Sequence, residues 1–99
     1  MSSFLEAMVL LLPPEVGGRV QPVAPREGSY SPFARFGEQV LRIRVIEGPP
    51  RLAPGEGARV VLECDADHEL RGGEELQLME LDEVVGHVTV LRVLRAACV

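Results

Sequence analysis

Apolar and polar residues alternate along this chain in short runs. In "QVLRIRVIE" Leu41, Ile43 and Val45 take one face and Arg42 and Arg44 the other, the signature of a half-buried strand with a basic outer side. "ARVVLEC" repeats the device, with Ala58, Val60, Leu62 and Cys64 opposite Arg59, Val61 and Glu63. "ELQLMEL" sets Leu76 and Leu78 against Glu75, Gln77 and Met79. The run from Val84 to Leu94 is apolar on both faces apart from His87, Thr89 and Arg92, so the pattern predicts a strand covered on both sides. Between these runs fall Pro13-Pro14, Gly17-Gly18, Gly48-Pro49-Pro50, Pro54-Gly55 and Gly72-Gly73, and no stretch sustains a helical apolar period that does not also read as strand. The expectation is an all-β domain spanning residues 1–99, a small closed barrel or a sandwich, with a type II turn at Pro54-Gly55 and a looped hairpin from Pro13 to Gly37.

The opening run carries two apolar faces. Leu5, Ala7, Val9 and Leu11 would point to a core, while Met8, Leu10 and Leu12 lie beside Glu6 on the alternate face. An apolar outer face on a small barrel is either covered by the chain's own loops or offered to a partner, which makes Met8, Leu10 and Leu12 candidate protein-interaction residues. The run does not read as an export signal, because no basic residue precedes it, Glu6 interrupts it and Pro13-Pro14 follows. It is also too short to span a bilayer.

Composition narrows the reading further. At 99 residues the scaling of surface with mass allows burial of about two-thirds of the unfolded chain's surface, enough for one core without covalent staples. Cys64 and Cys98 form neither a metal-type nor a redox-type pair, so a reduced, cytoplasmic setting is expected. Fifteen acidic residues outweigh ten arginines, for a net charge of −5, and that balance disfavours a nucleic-acid backbone as partner.

Taken in order, several landmarks resemble the C-terminal β-barrel, the third domain, of bacterial elongation factor Tu and related translation GTPases. They are "FLEAMVLLLPPEVGGRVQPV" as opening strand and Gly-Gly-Arg hairpin, "GSYSPF" as aromatic loop, "LAPGEGARVVLE" as Pro-Gly turn and strand, and "LRGGEELQLMELDEVVGHVTVLRVL" as closing hairpin. The resemblance covers Phe4 to Arg95 and implies a closed six-stranded antiparallel barrel with Greek-key features. In the family this barrel has no catalysis of its own; it packs on the GTPase domain and second barrel, touches the T-arm of aminoacyl-tRNA and meets the exchange factor. Here no P-loop occurs, so nucleotide binding is not expected.

By the same resemblance Gly17-Gly18 supplies hairpin turn positions and Arg19 matches the family's tRNA-contacting arginine. Other positions depart from the family: Val20 stands where a histidine is usual, Ser31 where an arginine follows the loop tyrosine, "CDAD" where a lysine is common, and Leu81-Asp82-Glu83 in the closing hairpin. Each change removes a phosphate donor or adds a carboxylate, which disfavours tRNA.

The remaining chemistry is sparse. Asp65, Asp67, His68 and Glu69 lack the spacing of a calcium loop and read as a charged turn, and His87 stands apart from any ligand pattern. Ser29, Ser31 and Cys64 lack a local nucleophile motif. Tyr30, Phe33 and Phe36, with Arg35 among them, read as an aromatic-basic loop that either stacks on a partner or plugs the barrel end. The sequence therefore points to a non-enzymatic protein-interaction module without cofactor, metal, nucleotide or membrane, docking on a protein or a second copy through Met8, Leu10 and Leu12. The alternative is a translation-related RNA binder using Arg19, Tyr30, Phe33, Arg35, Arg42 and Arg44.

Overall fold

The computed structural model describes residues 2–16, 21–24, 30–65, 70–80 and 82–96. Six strands close into an antiparallel barrel: β1 (Ser2–Leu11), β2 (Phe33–Phe36), β3 (Gln39–Glu47), β4 (Gly57–Asp65), β5 (Glu75–Glu80) and β6 (Glu83–Ala96). Around the barrel the order is β1-β4-β3-β2-β5-β6, with β6 pairing back on β1. β2, β3 and β4 run as consecutive antiparallel neighbours while β5 returns to lie beside β2, which is a Greek key. Closure pairs both sides of every strand and leaves no open edge for unspecific strand addition.

Alternation decides what lies inside. Leu5, Ala7, Val9 and Leu11 of β1 are buried, as are Leu41, Ile43 and Val45 of β3, Val60, Leu62 and Cys64 of β4, and Leu76 and Leu78 of β5. These interior faces are the ones the period of two predicts. Ala34, from the short β2, completes the wall, and Tyr30 and Phe36 pack against the same core.

The turns follow their chemistry. Pro54 fixes φ at the second position of its turn, Gly55 takes φ of 88°, and the Glu56 amide closes on the Ala53 carbonyl at 3.0 Å, as a type II turn requires. The Glu56 carboxylate also accepts from the Ala53 amide at 2.9 Å. Arg71 to Glu74 repeats the design, with Gly73 at φ of 92° and Glu74 accepting from the Arg71 amide. Gly86 serves another purpose. A Cβ there would stand 2.4 Å from the Leu10 carbonyl oxygen, so only glycine lets β6 approach β1 at that point.

Three expectations change. Phe33 to Phe36 is a strand, not a loop: between Pro32 and Gly37 it is too short to show a period, and it owes its extended form to pairing with β3 on one side and β5 on the other. β6 is not covered on both sides, because Val93 and Leu94 are 38% and 43% exposed while Val85, Val88 and Val90 face the core. Leu12 is half-buried, since β1 ends at Leu11 and the Leu12 amide donates to the Val85 carbonyl at 2.9 Å, drawing the chain across the barrel end.

Candidate interaction faces

The barrel presents two outer faces with apolar centres, one on β1 and one on β2. On the β1 face, register sets Met8 between Arg59 of β4 and Thr89 of β6, and Leu10 between Gly57 and His87. Glycine, threonine and an exposed imidazole give little cover, so Met8 and Leu10 are 39% and 45% exposed. Next along the strand, Glu6 lies near two guanidinium groups, 3.9 Å from Arg59 and 3.5 Å from Arg92. Both arginines are largely exposed, so these pairs orient more than they stabilise. One carboxylate is thereby shared by two cations, which leaves the border of the apolar spot with a net positive charge.

The β2 face is built in two rows running across β3, β2 and β5. Arg42, Phe33 and Met79 form one row; Val40, Arg35 and Gln77 form the next. Arg35 donates from Nε to the Gln77 Oε1 at 2.8 Å and from Nη2 to the same oxygen, so a neutral amide fixes the guanidinium plane. Phe33 and Val40 are 40% and 60% exposed. Alternation along β5 sets Met79 on the outer side, and its pairing opposite Phe33 leaves it nearly covered. Phe33, Arg35, Val40, Met79 and Asp82 line a groove of about 400 Å³.

The remaining candidates fall elsewhere. Tyr30 is half-buried, and its hydroxyl donates to Glu80 Oε2 at 2.5 Å while its carbonyl accepts from the Val45 amide at 3.0 Å. It pins the approach to β2 against β3 and β5 and does not offer a ring face. Arg44 pairs with Glu63 at 3.2 Å, beside a shallow concavity of about 280 Å³ that Ser31, Arg42 and Asp65 also line. Ser31 itself is spent on the Ile43 carbonyl at 3.0 Å. Arg19, with Gly17 and Gly18, and Asp67, His68 and Glu69 lie outside the described residues.

Cys64 is fully buried in the core, and burial, reinforced by the neighbouring Asp65 carboxylate, pushes its thiol up to about 11. A neutral, enclosed thiol is a poor nucleophile. His87 stands exposed on β6 next to Leu10. Among the described residues no group of three or more His, Cys, Asp or Glu side chains is placed to hold a metal, and no helix is long and apolar enough to cross a membrane.

Sequence reasoning had named Phe33, Arg35 and Arg42, and register brings these three together. Val40 and Met79 join them through cross-strand pairing and Asp82 from the turn between β5 and β6, none of which a local pattern carries. Comparison with known proteins finds no matching protein family and no matching curated protein. The closed six-stranded barrel is a shape that hosts many unrelated functions.

Proposed function

We propose that this chain is a non-enzymatic interaction module, a β-barrel that docks through its β1 face on a protein surface, either a second copy or a different partner domain. The observation that carries the reading is the exposure of Met8 and Leu10 side by side on one strand. Apolar side chains framed by arginines that already share a carboxylate suit a contact with another protein. The resemblance to the third domain of elongation factor Tu supports it, because that barrel works by packing on its neighbours. Under this reading the protein belongs to translation-related machinery and works in the cytoplasm.

The RNA alternative draws on Phe33, Arg35 and Arg42. Against it stand the net charge of −5, the pairing of Arg44 with Glu63 and the engagement of Tyr30.

The test is light scattering combined with a photo-crosslinker placed at Met8. A defined dimer or partner complex that Leu10→Glu disperses and Gln39→Glu does not would support docking through β1. A monomer with no crosslinked protein at Met8 would remove the proposal.

A further inference from the structure

We propose that the groove on the β2 face binds an acidic peptide segment that sets one bulky apolar side chain between flanking carboxylates. This site lies on the far side of the barrel from Met8 and Leu10, and it stands whether or not the β1 face docks. The apolar part of the argument is the groove itself. Phe33 and Val40 form its walls and Met79 its floor, in a volume of about 400 Å³, which suits a single aromatic or branched side chain with some backbone. A thioether floor adapts to the shape of what it meets.

Charge supplies the rest. In a chain of net charge −5, Arg35 and Arg42 flank Phe33 and make no ion pair with a described carboxylate. Arg35 is oriented in advance by Gln77, which uses Nε and Nη2 and leaves Nη1 to donate outward. A guanidinium held in plane by a neutral partner keeps its full charge for a ligand carboxylate. Arg42 stands across the strand pair from Phe33, just outside the groove, with Asp65 as its neighbour on the other strand, so it adds positive charge at the edge while Arg35 is the cation within. Asp82 lines the groove as well and gives it polarity. A ligand carboxylate is repelled at that rim and favoured toward the arginines.

The same geometry favours peptide over single-stranded nucleic acid. Sequence-tolerant binding of a nucleic-acid strand uses successive exposed ring faces along a continuous cationic track. Here Phe33 is the one exposed phenylalanine or tyrosine ring among the described residues, Tyr30 and Phe36 pack on the core, and Asp82 interrupts the positive surface.

The experiment uses the full chain and a fluorescein-labelled peptide, Gly-Ser-Asp-Glu-Phe-Asp-Glu-Ser-Gly, followed by anisotropy, with the Met79 methyl resonance as a site reporter. Three control probes accompany it: the same peptide with Ala for Phe, the same peptide with Lys for each acid, and oligouridylate. Expected are a shifted Met79 methyl, affinity reduced about tenfold by Arg42→Glu and by Arg35→Gln, and affinity raised about threefold by Asp82→Asn. Glu15→Gln, an exposed substitution outside the groove and outside the β1 face, leaves the affinity unchanged. All these positions are at the surface, and circular dichroism of each variant verifies the fold. No binding up to about 1 mM peptide, equal binding of the Lys peptide, or displacement of the acidic peptide by tighter-binding oligouridylate would each overturn the proposal.

Discussion

β1 and β2 stand three strands apart in either direction around a barrel of six, so their outer faces look in opposite directions. Both display apolar side chains bordered by arginines, yet the charges are handled differently. On β1 the two arginines share Glu6, whereas on β2 Arg35 rests on an uncharged amide and Arg42, though opposite Asp65 in register, forms no ion pair with a described carboxylate. A face whose arginines already share a carboxylate strands less charge on burial; one that keeps unspent cations is suited to an acidic ligand. The same ingredients on one fold thus define two kinds of surface, and what separates them is the register that decides which side chain meets each arginine.

The harshest way to break the comparison is to remove what both faces share. Leu78 is fully buried in the core. Leu78→Ala is expected to cost about 2–5 kcal/mol, seen as a lower denaturation midpoint, and to weaken both faces together. Next is the approach of β6 to β1. Gly86→Ala sets a methyl against the Leu10 carbonyl and is expected to cost about 1–3 kcal/mol. Its backbone amide shifts should centre on Leu10 and Gly86 while those of β2 move little. Smaller still, Glu6→Gln releases Arg59 and Arg92 and changes stability by at most about 1 kcal/mol, since the arginines are largely solvated. It sharpens the contrast, because a β1 face with two released cations should begin to bind the acidic peptide.

A separate effect is in pH. The native state holds the Cys64 thiol neutral up to about 11, while the unfolded chain's thiol ionises near about 8.5. Its contribution to stability is therefore complete below that lower value and fades as pH rises toward 11. Chemical denaturation of the wild type across that range should show a fall that Cys64→Val lacks. Alkylation of Cys64 at pH 8 should await unfolding.

Much of the barrel was legible because period-two patterns are local. β3, β4 and β5 announce their inner faces residue by residue, and Pro54-Gly55 announces its turn. β2 was hidden because four residues between a proline and a glycine show no period, and only its two neighbours make it a strand. The outer apolar side of β6 misled for a different reason: alternation says which residues share a face but not whether anything covers it. The β2 groove is the clearest case. Phe33, Arg35 and Arg42 invite attention as residue types and alternation sets Met79 on the outer side of β5, but only the pairing of β2 with β5 places it beside Phe33.

The most direct test of the account is a capture experiment from native lysate, with and without ribonuclease, comparing wild type, Met8→Glu/Leu10→Glu and Arg35→Gln/Arg42→Glu. Docking through β1 predicts a defined protein, or a second copy, that resists ribonuclease and is lost only with the β1 double variant. A partner retained by that variant, or one released by ribonuclease and lost with the arginine variant, would contradict it.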